Sequence, residues 1–144
     1  MFEYVSRSRG LNERICRYFF KQILKALIYL RSKGLYHLEL KPENILLDKN
    51  FNVKLVNVWH ITPEQERKQC SFGGAMNCSP QYLPPEVLYN EQSRGYEVDL
   101  FALGIILFIL RSNHYSFDKM ARKKDPFYKL IVHNNSNLFW KAWE

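Results

Sequence analysis

Between Tyr36 and Asn44 the chain places a histidine, two carboxylates, a lysine and an amide within nine residues, Tyr36-His37-Leu38-Glu39-Leu40-Lys41-Pro42-Glu43-Asn44. Glu39 offers a carboxylate that accepts hydrogen bonds, Lys41 a cation suited to an anionic group, and Asn44 an amide that both donates and accepts. Asn57 follows after a short β-forming stretch and adds a second amide. Such side chains can orient a hydroxyl, hold an anion or face a cation, provided that rigid elements on either side fix them.

Those elements are legible in the pattern. Ile15, Phe19, Ile23, Leu27 and Leu30, with Ala26 alongside, repeat at helical spacing, and Arg14, Arg17, Lys21 and Lys25 fall on the opposite face. The pattern predicts a helix over 12–33, with Asn12 as N-cap and Gly34 as a left-handed C-terminal cap. Ile45-Leu46-Leu47 and Val53-Lys54-Leu55-Val56 flank a polar turn and predict a small two-stranded hairpin. Residues 60–85 hold Gly73-Gly74, Pro63, Pro80, Pro84 and Pro85 and read as a long loop. A second helix is expected over 97–110. Its apolar run, Leu100 to Leu110, is broken only by Gly104 and is too short to cross a bilayer, so it reads as a core helix. Then come a basic patch (Lys119, Arg122, Lys123, Lys124), a further helix from Asp125 to His133, and the aromatic residues Phe139, Trp140 and Trp143.

A chain of 144 residues with 47% hydrophobic residues fits one domain. Its net charge of +7 is uneven: residues 1–34 carry eight basic side chains against two acidic ones, whereas 35–110 carry six against nine. The basic residues near the N-terminus lie on one helix face and read as a solvated surface. They lack the interleaved aromatics of a single-strand platform, so no nucleic-acid partner is expected. Cys16, Cys70 and Cys78 have no paired spacing, and no His/Cys cluster suggests a metal. Reduced thiols in an intracellular, cytoplasmic protein are the expectation. Met1-Phe2-Glu3-Tyr4 lacks the pattern of a secretory signal, and no membrane partner is expected.

Three motifs in order carry a resemblance. They are His37-x-x-Leu40-Lys41-Pro42-Glu43-Asn44, Tyr82-Leu83-Pro84-Pro85-Glu86-Val87-Leu88, and the run Gly95 to Gly104 with Asp99 inside it. Together they resemble the C-terminal lobe of eukaryotic protein kinases, and K-P-E-N is similar to the Ser/Thr branch. The resemblance covers nearly the whole chain. It implies a mainly α fold, a partial kinase-like C-lobe with a small two-stranded β-hairpin, as a single partial domain over 1–144. The N-lobe is expected to be absent, since neither the Gly-rich loop nor the strand lysine of the family stands in this chain.

By that resemblance Glu39 and Lys41 are the catalytic positions, Glu39 orienting the substrate hydroxyl and Lys41 steadying the transferring phosphate. Asn44 and Asn57 fall at the positions that hold ATP and Mg²⁺ in the family. His37 and Asp99 are structural, Asp99 holding the catalytic-loop backbone, and Glu86 pairs in the family with an arginine that this chain does not reach. Four positions depart from the family pattern. Leu38 replaces an arginine and cannot pair a phosphate on Ser71 or Ser79. Glu39 replaces an aspartate and adds a methylene, and misplacing a positioning group by about 1 Å can cost about 10²-fold in rate. Asn57 and Trp59 replace the aspartate and glycine of D-F-G; the first loses the charge that a hard cation favours, the second fills a site of backbone freedom. Three functions stay open: a pseudokinase-like module that binds a protein partner (a kinase or a kinase substrate) with impaired or absent phosphotransfer; a divergent active ATP-dependent Ser/Thr kinase whose N-lobe lies outside this chain; and a truncated relic. Uncovered apolar faces are expected on 100–110 and around Trp140 and Trp143, marking a partner site or a folding liability.

Overall fold

The computed structural model describes residues 1–60 and 79–143, with the backbone alone of Trp59 and His60. In chain order the elements are α1 (Phe2–Ser6), α2 (Glu13–Ser32), β1 (Leu35–Tyr36), β2 (Ile45–Leu47), β3 (Val53–Leu55), β4 (Trp59–His60), α3 (Pro85–Leu88), α4 (Gly95–Ser112), α5 (Tyr128–Val132) and α6 (Ser136–Lys141). Short 3₁₀ turns at Pro42–Asn44 and Pro80–Tyr82 complete the set. The fold is mainly helical, as the sequence implies.

Local chemistry sets the boundaries. The Asn12 side chain accepts the Ile15 N–H at 3.0 Å, and Gly34 adopts φ 68°, so α2 starts and stops where its caps stand. Its buried residues Cys16, Phe19 and Ile23 lie on the predicted stripe, and Arg14, Arg17, Lys21 and Lys25 are exposed. The second long helix, α4, begins two residues earlier than the apolar pattern suggests. There the Glu97 carboxylate accepts the Arg94 N–H at 3.0 Å and closes the first turn. At its other end Asn113 takes φ 59° and donates its N–H to the Ile109 carbonyl at 2.8 Å.

Helices α2 and α4 form the core pair. They run antiparallel: Leu11 N–H meets the Leu110 carbonyl at 2.7 Å, and at the opposite end the Arg31 guanidinium lies 4.0 Å from the Tyr96 ring centre. Ile23, Leu40, Ile45, Leu88, Leu103, Ile106 and Leu110 fill the space between them and the loop. The hairpin is antiparallel with Ile45 opposite Leu55 and Leu47 opposite Val53. It is pinned to α2 by Gln22, whose side-chain oxygen accepts the Val53 N–H at 3.0 Å.

Three features differ from the sequence reading. A second antiparallel pair joins β1 to β4, Tyr36 opposite Trp59; two residues per strand leave no periodicity to read. The helix expected from Asp125 to His133 is shorter, because the Asp125 carboxylate caps it from outside, accepting the N–H groups of Phe127 and Tyr128 at 3.0 Å each. The aromatic run near the end forms the extra helix α6. The long loop expected over 60–85, with Ser71, Cys70 and Cys78, falls mostly outside the described residues.

Candidate active site

The site rests on one buried carboxylate. Asp99, in the first turns of α4, is 4% exposed, and its two oxygens accept the His37 N–H at 2.8 Å and the Leu38 N–H at 2.7 Å. Burial, the largest effect, pushes its pKa up to about 6, and the two N–H bonds pull the other way. The bonds hold the chain where Leu38 adopts φ 61°, a left-handed conformation that costs a branched aliphatic residue about 1–2 kcal/mol. Leu38 itself is buried, so the hydrophobic core stabilises the same turn. His37 is fully buried behind it. Neither ring nitrogen has a well-formed hydrogen bond among the described residues, and burial pushes its pKa down. A neutral, packed imidazole fits the structural role expected of it.

Beyond the turn, Lys41 Nζ lies 2.6 Å from Glu39 Oε1, with both side chains 19% exposed. Asn44 Nδ2 donates to the Glu39 carbonyl at 2.8 Å, and Asn44 N–H to the Lys41 carbonyl at 2.9 Å, so the 3₁₀ turn folds the loop back on itself. Val56 N–H donates to the Asn44 carbonyl at 3.1 Å and brings the end of the hairpin alongside. There Asn57, at φ 61°, donates from Nδ2 to Asn44 Oδ1 at 3.1 Å. Asparagine is among the few non-glycine residues that enter this backbone region readily.

Glu39, Lys41, Asn44 and Asn57 are thus brought together, with His37 and Asp99 supporting them from beneath. Glu86, on α3, stands apart. Its side chain has no ion pair among the described residues; burial first, and the nearby Glu86 charge second, raise the phenol pKa of Tyr128.

Magnesium fits this donor set poorly. Asn44 Oδ1 already accepts from Asn57, both groups are neutral amides, and the nearby Glu39 carboxylate is paired to Lys41. A hard dication favours several carboxylate or carbonyl oxygens. Among the described residues no cluster of three or more His, Cys, Asp or Glu side chains could hold a metal ion.

Two features escaped the sequence reading. Ser79, considered there only as a modification site, lines a cavity of about 10 Å³ with Glu39, Lys41, Tyr82 and Asp99, room for about one water. An open cleft of about 990 Å³ lies between α1 and the hairpin, with Tyr4, Pro42, Leu46 and Phe51 among its walls. Its lining carries the carboxylates of Glu3, Glu43 and Asp48 against the guanidinium of Arg7 and the Met1 ammonium, a balance that does not attract a polyphosphate. The sequence carries no signal for it, since Leu46 reads as one more apolar strand residue and only the fold leaves it exposed.

The comparisons agree with this geometry. The family model described as protein kinase domain matches residues 1–143. Serine/threonine-protein kinase CHK1 of Saccharomyces cerevisiae is 32% identical, over 99% of this chain and 28% of its own length. NUAK family SNF1-like kinase 1 of Mus musculus is 38% identical over 85% of this chain and 18% of its own length. CBL-interacting protein kinase 28 of Oryza sativa is 35% identical over 81% of this chain and 27% of its own length. The chain therefore spans between 18% and 28% of these relatives. Kinases of this family use ATP and Mg²⁺. With the match across 1–143 and the loop that Asp99 anchors, the chain belongs to the eukaryotic protein kinase superfamily, of the Ser/Thr type.

Proposed function

We propose that this chain is a kinase-descended lobe that acts by binding a protein partner, with metal-dependent phosphotransfer impaired or lost. The observation that carries the reading is the Asn57–Asn44 amide hydrogen bond, 3.1 Å, at the two positions where the family holds its metal. A carboxylate at residue 57 would leave Asn44 Oδ1 free to share a cation; the amide occupies it instead. The Glu39–Lys41 pair adds support, because the carboxylate at the base position is held by its own neighbour.

The partner is a protein, a kinase or a kinase substrate, in keeping with the family and with the exposed apolar side chains Leu100, Leu138 and Trp140. No nucleic acid or membrane enters the reading; no helix among the described residues is long and apolar enough to cross a membrane. We place the protein in the cytoplasm, where the buried thiol of Cys16 stays reduced.

Near-UV circular dichroism through thermal unfolding, with and without Mg-ATP, tests the proposal. A cooperative transition that nucleotide does not move is the expected result, since only a ligand of the folded state raises stability. An upward shift with Mg-ATP overturns it.

A second reading, a divergent active kinase completed by an N-lobe outside this chain, draws on the retained loop frame: the Asp99 bonds to His37 and Leu38, and the Asn44 bond to the Glu39 carbonyl. Phosphotransfer by a longer chain that carries a Gly-rich loop and strand lysine would favour it.

A further inference from the structure

The outward face of α2 carries charge of one sign. Arg14, Lys21 and Lys25 are exposed, and with Tyr18 and Ile28 they recur at alternating steps of four and three, which sets them in one line. Arg17 lies beside that line and is exposed as well. From Arg14 to Ile28 the line runs for about 21 Å. The buried residues Cys16, Phe19 and Ile23 are on the opposite side of the helix, toward the core. Lys and Arg are not buried unless paired, so water or a counter-charge covers this face, not further apolar packing.

These charges do not stabilise the helix that bears them. Arg17, Lys21 and Lys25 follow one another at steps of four, and like charges at that spacing destabilise a helix. Arg14 and Arg17 stand near the helix N-terminus, where the macrodipole disfavours a cation. The helix has one carboxylate, Glu13, and it is paired with Arg17. Arg14, Lys21 and Lys25 have no ion pair among the described residues. The far end of the line is uncharged: Ile28 is 60% and Tyr29 62% exposed, with Lys33 Nζ 5.8 Å from the Tyr29 ring centre.

We infer that this face binds an acidic peptide segment of the protein partner, with carboxylates along Arg14, Arg17, Lys21 and Lys25 and an apolar side chain against Ile28 and Tyr29. Carboxylates placed along the line relieve the repulsion between the cations and pair with the forked donors of the arginines. The uncharged end separates a peptide from other polyanions. A nucleic-acid backbone repeats its phosphate along its whole length and offers no counterpart to the end formed by Ile28 and Tyr29. A helix that lies on a membrane turns its apolar face to the lipid, whereas that face of α2 is buried in the core. The inference rests on the proposed binding of a protein partner and names that partner's chemistry; it does not depend on whether the site takes Mg-ATP.

Fluorescence anisotropy with a labelled peptide, a run of glutamates closed by leucines, tests it at physiological salt. The comparisons are the same peptide with glutamines, a single-stranded oligonucleotide, and vesicles of mixed phosphatidylserine and phosphatidylcholine. Saturable binding of the glutamate peptide, tighter than any of these, is expected. Lys21→Glu is expected to weaken it about fivefold or more, and Ile28→Ser by about as much. Lys124→Glu, at an exposed site away from α2, changes the net charge equally and is expected to leave the affinity within about twofold. Lys21→Glu also turns the like-charge pairs with Arg17 and Lys25 into opposite pairs. Its urea midpoint is therefore expected to rise while its affinity falls, which separates a lost contact from a lost fold. Failure of the glutamate peptide to bind, equal binding of the glutamine peptide, tighter binding of the oligonucleotide or the vesicles, or an equal loss in Lys124→Glu would overturn the inference. A lowered midpoint in Lys21→Glu would do so too, since the cations would then serve the fold. None of these results moves the Mg-ATP unfolding test, so the two readings fail separately.

Discussion

Replacing Asp99 by asparagine separates two opposing effects at the centre of the fold. The carboxylate is buried, which disfavours its charge, yet it accepts two backbone N–H bonds, which favour the charge. With its pKa pushed up to about 6 from the usual 3.8, burial is the stronger. A folded-state pKa above the unfolded one means that the native state binds the proton more tightly. The stabilisation is then complete below about pH 4 and is lost as pH rises through about 6. That gap in pKa is worth about 3 kcal/mol. Asparagine cannot ionise, keeps one acceptor and sets an N–H donor against the other backbone N–H, a cost of about 1–3 kcal/mol that does not vary with pH. Between pH 4 and pH 7 the wild-type protein should therefore lose about 2–2.5 kcal/mol relative to Asp99→Asn, part of the effect being lost already at pH 4. Urea unfolding of both proteins at pH 4, 5, 6 and 7, followed by far-UV circular dichroism, measures the difference. His37, whose pKa is lowered by burial, contributes a slope of the opposite sign, but it is present in both proteins and largely cancels on subtraction. A difference that stays constant with pH, or that moves in favour of aspartate as pH rises, would refute the reasoning. It would mean that the two hydrogen bonds outweigh burial.

Gly95→Ala should destabilise the protein by about 1–2 kcal/mol despite the better helix propensity of alanine, because its Cβ would press on the Tyr36 ring, one residue before His37. Gly104→Ala should do the reverse, raising stability by about 0.5–1 kcal/mol, read from urea midpoints. Glu39→Asp should not restore phosphotransfer to this chain, because the amide pair at Asn44 and Asn57 is untouched; ATP turnover by that single variant would count against the account.

Much of the fold is written in local pattern. The α2 stripe, its Asn12 and Gly34 caps and the hairpin turn all depend on residues within a few positions of each other, where spacing and turn chemistry speak directly. The site was legible as a set of positions, through the order of three motifs, but not as a geometry. The bonds from Asp99 to His37 and Leu38 cross about 60 residues, and the Asn57–Asn44 contact joins a strand end to a loop. No periodicity reports such contacts. The left-handed turns at Leu38 and Asn57 were equally hidden, because leucine gives no sign that it will adopt one. The β1–β4 pair was missed because it is only two residues long, and the cap by Asp125 because it accepts from N–H groups two and three residues ahead and from Lys119 behind it. Gly104 was read as an interruption of an apolar run and as the end of the third motif; that its Cβ direction is open required the packing around it.

Whether the Asn44–Asn57 pair can take a metal decides between a binding module and a working phosphotransferase. Calorimetric titration of ATP into the chain with Mg²⁺ already in excess, beside the same titration without Mg²⁺ and that of Asn57→Asp, measures this. The expected result is no saturable Mg²⁺-dependent binding by the wild-type chain, with any binding confined to the variant that regains a carboxylate. Saturable, stoichiometric Mg²⁺-dependent binding of ATP by the wild-type chain would contradict it.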